Sequence, residues 1–600
     1  MELLDYYRDN LSYLRNLAAE FAAEFPKIAG RLGLGEFECE DPYIERLLEG
    51  TAFLSARVEK KLDEGYRNLL ESVLNSVAPN ALYPIPAGAV VELAPNYRDE
   101  QVRSGAVLGA GTRLDALIPT INTPCTFSTM EDAVISPLAV GEAEYVTRSL
   151  SDFDINNPQG LAGLRIKLVT AAGPLAAFPD RLTFYINLAE ADASLLLRQI
   201  MHETVALYIR RGETDRFVPF SGVTFDMPLA AGVKLFPDQI RGHALGLRIL
   251  QNFLAFPGFF KFFTLSNLGG AFASAVNSVE FLLVFKRREP SLVSLKASSL
   301  KLNCVPVVNL LAKRADRVSI EKEAYQFHIV PDRSAPRDYE VVYVQRLEFF
   351  NEQNESLFLA DNFYEDNPLA EKTKKNFFSQ HRRKSLVNPR LTQRSSYSGA
   401  ELFVSFSGQD KKLEDVYQFA AETICTNRDL PLLLPPETYL SSHDPFLNGG
   451  NFMTRPTRPL SSLFERGGAS DFSKLSHLVF NLSALLWQNG KFPLEALRTL
   501  LGSYQIRSGE ETERMLEGLV SLESENTAFR FIKKGAVFFE VGWKVSFTLD
   551  ETAYAGIGHY IFGRVLAELL MSFSPINTLL EIHFFTKQSG RIAVWKTLED

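Results

Sequence analysis

Residues 1–80 hold two long amphipathic segments, and neither can bury its apolar residues by itself. In the first segment, apolar residues recur at alternating gaps of three and four, which average about 3.5 residues, as in a coiled-coil seam. The residues of this seam are Leu4, Tyr7, Leu11, Leu14, Ala18, Phe21 and Phe25. The spacing predicts a helix that packs against partner helices.

The second segment begins with Asp41 as the N-cap and Pro42 at the first helical position, where a missing N–H costs nothing. It ends before Pro79 and carries an apolar side made of Ile44, Leu47, Leu48, Leu54, Val58, Leu62, Leu69, Val73 and Val77. An antiparallel hairpin within the chain would satisfy much of both stripes, whereas the sustained period favours a bundle shared with another polypeptide. The candidate interface residues are Leu4, Tyr7, Leu11, Leu14, Phe21, Phe25, Leu47, Leu54 and Val58.

Composition limits the classes of function. The chain has 600 residues, 46% of them hydrophobic and 22% charged, which is typical of a folded protein with roughly three to five domains. A formal net charge of −9 argues against nucleic acid as the main partner, because phosphate contacts require clustered Lys and Arg. The four cysteines, at positions 39, 125, 304 and 425, form no CxxC pair and indicate reduced, buried thiols in a cytoplasmic protein.

No segment predicts export or a membrane span. The N-terminus lacks a basic leader, and the most apolar window, residues 253–263, is short and interrupted by Pro257 and Lys261. We therefore expect any membrane contact to be indirect. The phenylalanines of this window, among them Phe256, Phe259 and Phe260, form either a partner surface or a domain core, and the core is favoured because Phe is normally buried.

The changing patterns along the chain predict an α+β multidomain fold. We expect a helical segment at 1–80, a small β-rich domain at 81–160, a mixed α/β domain at 161–300 and a β-rich domain at 301–465. The last domain, 466–600, is α+β, with a helix from Asp471 to Gly490 and another that begins at Pro493. Residues 537–549 alternate strictly between apolar and mostly polar positions, which predicts a half-buried strand.

The segment 351–398 is the most loop-like part of the chain. Its first part is acidic, and residues 372–394 contain eight Lys or Arg and no acid. This basic run is either a docking site for an acidic partner, a nucleic-acid contact, or a solvated loop between two strands. The solvated loop is favoured.

A search for catalytic motifs finds only fragments. His202-Glu203 begins an HExxH zinc motif, but position 206 is Ala, so the second ligand is missing. Gly30, Gly33 and Gly35 have the order GxxGxG with no preceding strand, which indicates a helix terminator rather than a nucleotide loop. The sequence therefore predicts no catalytic, cofactor-binding or metal-binding residue. A multidomain hydrolase or metal enzyme remains the alternative.

Several ordered motifs give the sequence a family resemblance. They are residues 41–58 (DPYIERLLEGTAFLSARV), 82–86 (LYPIP), 250–257 (LQNFLAFP), 303–310 (NCVPVVNL), 425–431 (CTNRDLP), 476–478 (SHL) with 481–483 (NLS), and 556–558 (GIG) with 576–577 (IN). Over nearly its whole length the sequence resembles the TssF family of type VI secretion baseplate subunits. It departs from the family pattern at Asn252, where Tyr is usual, and at Gly258-Phe259, where Glu-Lys is usual.

The resemblance implies a scaffold protein and not an enzyme. TssF-like proteins pair with each other and with TssG to form a wedge, which TssK links to the membrane complex. The wedges surround the VgrG spike hub beneath the contractile sheath, with TssE nearby. The resemblance also implies a fold similar to wedge proteins of contractile phage tails, no cofactor, and a cytoplasmic location docked at the inner membrane through the secretion apparatus.

Overall fold

The computed structural model combines helices with several β-sheets, so the expected α+β multidomain class is confirmed. The chain divides into two compact units, one built on Met1–Leu82 and the other on Tyr83–Ser461 with the described part of Asn481–Asp600. The structure describes residues 3–597 except 34–40, 78, 120, 148–149, 154, 156, 158, 172, 174–178, 213–214, 230–244, 270–277, 322, 365–375, 385–394, 396, 398, 409–414, 463, 465–492, 505–508, 534–535 and 575–577.

The N-terminal unit is helical, as its sequence pattern predicts. Its helices are α1 (Leu3–Glu24), α2 (Pro26–Ala29) and α3 (Pro42–Val77). A carboxylate oxygen of Asp41 accepts a hydrogen bond from the backbone N–H of Tyr43 at 2.9 Å, and Pro42 is the first helical residue. The start of α3 therefore has the predicted cap, which satisfies one of the donors that every helix leaves unpaired.

A closed six-stranded barrel forms the centre of the larger unit, and its strands come from three distant parts of the sequence. In β1, the alternate residues Ala89, Val91 and Leu93 belong to the buried core of the barrel. The barrel order is β1 (Gly88–Pro95), β15 (Cys304–Val308), β4 (Ile121–Thr129), β3 (Arg113–Ile118), β24 (Tyr439–Ser442) and β25 (Leu447–Phe452).

The chain leaves the barrel after β4 and builds two antiparallel sheets before it returns at β15. The first has the order β10 (Val218–Phe220), β9 (Thr204–Arg211), β13 (Ser278–Phe285), β7 (Ala162–Thr170) and β6 (Leu138–Val146). The second has the order β11 (Thr224–Asp226), β12 (Phe262–Ser266), β8 (Arg181–Ile186) and β14 (Leu300–Lys301). This part also contains the helices α5 (Glu190–Arg198) and α6 (Leu245–Ala255) and the strand β5 (Ala133–Val134). β5 pairs with β2 (Val107–Leu108), which follows the short helix α4 (Glu100–Arg103) between β1 and β3.

A second excursion, between β15 and β24, forms an eight-stranded sheet with its own core. Its path is β16 (Leu311–Arg314), β23 (Gln418–Thr426), β19 (Glu340–Phe350), β20 (Ser356–Asn362), β21 (Asn376–Lys384), β22 (Ala400–Gly408) and β18 (Phe327–His328), and β17 (Val318–Ser319) also pairs with β23.

The prediction of a charged loop at 351–398 is wrong for the residues that the structure describes. They include two strands, β20 and β21, and β21 is paired with β22 along its whole length. The Arg382 guanidinium lies 5.1 Å from the ring centroid of Tyr83, and that of Arg383 lies 4.6 Å from the ring of Phe403. These two arginines therefore cover aromatic rings of the sheet. The other parts of the basic run, 372–375 and 385–394, lie outside the described residues.

Two buried asparagines join the barrel to this sheet. Asn309 follows β15, Asn427 follows β23, and neither side chain is exposed. The Asn309 side-chain NH₂ donates to the Asn427 side-chain oxygen at 2.9 Å, and the Asn427 backbone N–H donates to the Asn309 side-chain oxygen at 2.7 Å. The Asn427 side-chain oxygen also accepts from the backbone N–H of Thr126 in β4 at 2.9 Å. Two of the family motifs therefore meet here.

The described residues of the C-terminal part form a four-stranded sheet and the helices that flank it. Its elements are α7 (Leu494–Ser503), α8 (Gly509–Glu517), β26 (Leu519–Lys533), β27 (Ala536–Leu549), α9 (His559–Ser572), β28 (Leu579–Thr586) and β29 (Gly590–Lys596). The sheet order is β26-β27-β28-β29, with β27 and β28 parallel. The helix expected from Asp471 to Gly490 lies outside the described residues, and the helix expected from Pro493 is α7.

The C-terminal helix α9 is built into the middle of the chain. The Ser194 hydroxyl of α5 accepts a hydrogen bond from the backbone N–H of Tyr560 at 3.0 Å and so caps the start of α9. Together with the shared barrel, this contact corrects the expected boundaries at residues 160, 300 and 465. The segments 81–160, 161–300, 301–465 and 466–600 interleave within one compact unit, whereas the segment 1–80 corresponds to the N-terminal unit.

Gly246 allows α6 and α9 to cross closely, and this contact yields a prediction. A Cβ at Gly246 would overlap the Cα of Leu569 and lie 2.8 Å from the carbonyl oxygen of Glu568. We expect Gly246→Ala to lower the free energy of unfolding by about 1–3 kcal/mol, because backbone atoms must separate. Gly502→Ala in α7 is the matched control, since its Cβ meets only a side-chain methyl at 3.5 Å.

Chemical denaturation followed by tryptophan fluorescence provides the measurement. The control should be neutral or stabilising by up to about 1 kcal/mol, because Ala is the better helix former. Equal denaturation midpoints for the two variants would contradict the close crossing.

Candidate protein interface

Helices α1 and α3 pair antiparallel within the chain. The Tyr6 hydroxyl donates to a carboxylate oxygen of Asp63 at 2.6 Å, and the Asn10 side-chain NH₂ donates to Glu59 at 2.7 Å. The beginning of α1 therefore faces the middle of α3. Of the two arrangements that the sequence left open, the structure contains the hairpin.

An ion pair supports the other end of the hairpin. The Arg15 guanidinium of α1 contacts the Glu45 carboxylate in the first turns of α3. This hydrogen bond raises the pKa of Arg15 above its ordinary value. Half of the Arg15 side chain is exposed, so the pair adds little stability but fixes the pairing of the two helices.

The hairpin leaves an apolar stripe of α3 exposed. In the first two thirds of α3 the fully buried residues are small, Ala52 and Ala56, and Leu74 is fully buried near its end. The large residues lie elsewhere around the helix, at spacings of four and seven that keep them on one side. Between 61% and 67% of each of these residues is exposed, and they are Leu47, Leu54, Val58, Leu62 and Leu69. We call these five residues the α3 stripe.

The predicted interface residues of α1, together with Phe25 just after its end, fall into two groups. Leu4, Phe21 and Phe25 are exposed, at 52%, 37% and 44%, whereas Tyr7, Leu11 and Leu14 are half-buried. The rings of Phe21 and Phe25 contact each other at 5.2 Å between centroids. Exposure of the first group and of the α3 stripe is what a surface for further helices requires.

The sequence pattern missed two exposed residues of α1. Tyr13 and Leu17 are 62% and 40% exposed and lie four residues apart, next to the seam that the 3.5-residue template selected. Their spacing of four residues, which places two side chains next to each other on a helix, is the sequence signal that indicates this apolar pair. They widen the apolar surface of α1 beyond the predicted seam.

The aromatic window belongs to the core, which corrects the prediction of Phe256, Phe259 and Phe260 as interface residues. These three side chains are 5%, 3% and 0% exposed. The rings of Phe256 and Phe259 stack at 4.9 Å, and a Cβ at Gly88 of β1 would lie only 2.5 Å from the Phe256 ring. The window packs against the barrel because Gly88 leaves room for its rings.

One cluster of ionisable groups among the residues that the structure describes surrounds Arg198 at the end of α5. The Arg198 guanidinium contacts the Glu289 carboxylate, and the Arg198 Nε lies 3.4 Å from Oε1 of Glu203. The described residues contain no group of three His, Cys, Asp or Glu side chains that could hold a metal ion. The arginine pairs with both carboxylates, so the cluster satisfies its own charges, as a structural ion pair does.

His202, the residue of the HExxH fragment, is packed between aromatic rings. Its ring lies 5.6 Å from that of Tyr560 and 5.9 Å from that of Trp595. Burial, and secondarily the positive charge of Arg564, lower the pKa of His202 to about 4. The imidazole is therefore neutral near pH 7 and joins the middle of the chain to its C-terminal part.

This lowered pKa predicts how stability depends on pH. The unfolded chain binds a proton at His202 near pH 6.5 and the folded chain only near pH 4. The contribution of His202 is thus fully present above pH 6.5 and is lost as the pH falls toward 4, by up to about 3 kcal/mol.

Denaturation midpoints measured from pH 7.5 to 4.5 should show a smaller decline for His202→Gln than for the unsubstituted chain. His443→Gln is the control, since the side chain of His443 is 87% exposed. An unchanged slope in the His202 variant would exclude His202 as a source of the pH dependence.

No helix among the residues that the structure describes is long and apolar enough to cross a membrane. An exposed helical stripe of large apolar residues is typical of proteins that assemble with other chains. Comparison with known proteins gives the family. The family described as "Type VI secretion system, TssF" matches residues 1–599. The type VI secretion system component TssF1 of Pseudomonas aeruginosa is 31% identical over 617 aligned residues, which cover 99% of this chain and 98% of that protein.

Two solved structures share the fold. One chain of the TssK-TssF-TssG baseplate subcomplex of the type VI secretion system superimposes with a TM-score of 0.71 at 20% identity, and covers 92% of this chain and 98% of its own length. A chain of the type VI secretion baseplate complex gives a TM-score of 0.59 at 20% identity, with coverages of 99% and 98%.

The chain belongs to the TssF family of the type VI secretion system. The resemblance seen in the sequence motifs is thereby confirmed. Members of this family are structural components and not enzymes, so the prediction of a structural role is also confirmed and the hydrolase alternative is not supported.

Proposed function

We propose that this chain is a wedge subunit of a type VI secretion baseplate and that α1 and α3 enter a helical bundle shared with TssG. The observation that carries the proposal is the exposed α3 stripe. The solved relative in a TssK-TssF-TssG subcomplex supports the choice of partner, because the likeness spans 92% of this chain. The α3 stripe has the spacing that helix-in-groove recognition uses.

The magnitude of the apolar surface supports a bundle rather than a single contact. Full burial of one Leu or Val side chain contributes about 1.5–3 kcal/mol, so the α3 stripe contributes roughly 10 kcal/mol before the costs of association. Those costs are about 4–15 kcal/mol. The α3 stripe alone therefore gives at best a weak complex. Stable assembly also requires the exposed residues in and just after α1, such as Phe21 and Phe25.

The family resemblance supports further partners. A second copy of this chain and TssK complete the proposed wedge, and the VgrG hub, TssE and the base of the sheath are its neighbours in the baseplate. The proposed location is the cytoplasmic face of the inner membrane, reached through the secretion apparatus. The work of such a subunit is conformational: its interfaces hold the sheath in an extended state and repack when the partners move.

Charges in the α3 stripe test the proposed bundle. We expect Leu54→Glu combined with Val58→Glu to abolish co-purification with TssG, because two carboxylates would be buried without partners. The larger unit should stay folded, with an unchanged denaturation midpoint. The matched control is Leu117→Glu in β3 of the larger unit, where the residue is 67% exposed, as Leu47 is.

Co-expression with affinity-tagged TssG measures the outcome as the yield of captured chain. The control should be captured at the yield of the unsubstituted chain. Capture of the Leu54/Val58 variant at that same yield would overturn the assignment of the α3 stripe.

The same surface predicts the behaviour of the chain without partners. Expressed alone, the chain should self-associate or precipitate, since the α3 stripe stays in contact with water. Co-expression with TssG should render it soluble. Sedimentation velocity measures this directly, and a clean monomer at micromolar concentration in the absence of any partner would argue against the shared bundle.

A further inference from the structure

The C-terminal hairpin of β26 and β27 extends beyond the sheet to which it belongs. The two strands pair with each other from Leu519↔Leu549 to Lys533↔Ala536. β28 begins to pair with β27 only at Gly542↔Leu579. The outer part of the hairpin, residues 528–533 and 536–541, therefore forms a two-stranded projection, which we call the arm.

One face of the arm is apolar and exposed. Val537, Phe539 and Val541 are 46%, 71% and 62% exposed. Further along the same face of β27, Val545 and Phe547 are fully buried. The predicted half-buried strand is thus buried in its second half only. An isolated two-stranded hairpin is marginally stable in water, so the arm needs a partner.

The outer edge of β26 is also available. β26 is the first strand of the four-stranded sheet, and no other strand in the described part of the chain pairs with its outer side. Such an edge presents a row of unpaired backbone N–H and C=O groups, which is a template for another strand. The strand spans Leu519–Lys533, which is long for an edge strand.

Charge along β26 is segregated. Glu523 and Glu525 lie in its first half and are exposed, and this half carries no Lys or Arg. Arg530 is exposed in the second half, where Lys533 follows in the sequence, and this half carries no acid. A strand with this order of charges matches itself only when the second copy runs antiparallel.

We infer that the outer edge of β26 pairs antiparallel with the β26 edge of a second copy of this chain, about a two-fold axis at Ala528. When a strand pairs antiparallel with its own copy about a two-fold axis perpendicular to the sheet, opposite residues share one face, so their positions differ by an even number. An axis at Ala528 places position 523 of one copy opposite position 533 of the other, and Asn526 opposite Arg530. The inference rests on the self-association included in the proposed function and names the surface for it.

This register matches the chemistry of the exposed side chains. The small Ala528 is exposed at the axis, and its hairpin partner is Val541, so Ala528 and Val541 of both copies form one apolar row. Each cross-strand pair contributes only about 0.2–1 kcal/mol, so the contact is weak between free chains. It strengthens when the assembly holds two copies close together.

Disulfide formation between two copies tests the position of the two-fold axis, and it is measured in the chain co-purified with TssG. Ala528→Cys should give a covalent dimer on mild oxidation, because only position 528 faces itself. All variants also carry Cys39→Ser, and the remaining cysteines, Cys125, Cys304 and Cys425, are buried. Ser521→Cys on the same strand is the matched control and should give at least about tenfold less covalent dimer, since its copies lie at opposite ends of the paired strands.

Charge reversal provides an independent test. Glu523→Lys with Glu525→Lys makes β26 wholly basic, and Arg530→Glu with Lys533→Glu makes it acidic. Each double variant should lose the Ala528→Cys dimer by roughly tenfold, because positions 523 and 533, which lie opposite each other in this register, then carry like charges. A mixture of the two double variants should recover it as a mixed dimer, and so should the fourfold variant.

The outcomes separate this inference from the proposed function. If TssG co-purifies but Ala528→Cys gives no more dimer than Ser521→Cys, the inference fails and the proposed wedge stands. If charge reversal leaves the Ala528→Cys dimer unchanged, the register is wrong and the inference is overturned. Failure of TssG to co-purify with the unsubstituted chain would instead overturn the proposed function.

Discussion

The reciprocal hydrogen bonds between Asn309 and Asn427 hold the larger unit together. They lie where the chain leaves the barrel after β15 and where it leaves the second sheet after β23. Both side chains are fully buried, and the backbone N–H of Thr126 in β4 donates to the side-chain oxygen of Asn427. Because an unpaired buried amide costs about 1–3 kcal/mol, neither residue is stable in place without the other. The barrel and the sheet built on the second excursion are therefore fixed relative to each other.

Local chemistry made part of the fold predictable. The Asp41-Pro42 cap and the recurrence of apolar residues identified α1 and α3, and strict alternation identified β27. The barrel was not predictable, because β1 pairs with β15 and β25, which lie hundreds of residues away, and no local pattern encodes such a register. The strands within 351–398 were missed because charged residues such as Arg382 and Arg383 occupy them. Their guanidinium groups lie over aromatic rings of the sheet, a placement that the charge pattern of the sequence does not reveal.

The candidate interface on α1 and α3 was also predictable only in part. Periodicity shows that one side of a helix is apolar, but it does not show which neighbour covers that side. In α3 the small Ala52 and Ala56 are buried, whereas the larger Leu54 and Val58 are exposed. For Phe256 and Phe259 the general tendency of Phe to be buried proved the better guide. The deciding element was Gly88, a residue far from them in sequence.

The hydrogen bond from Tyr560 to Ser194 has a consequence for biosynthesis. Its two residues are 366 positions apart, so Ser194 leaves the ribosome long before α9 exists. At about 5–20 residues per second, the interval is roughly 20–70 s. During that time the surfaces of α5 and α6 that α9 covers remain open to solvent. The core that α5, α6 and α9 share is therefore completed only after the last segment has been translated.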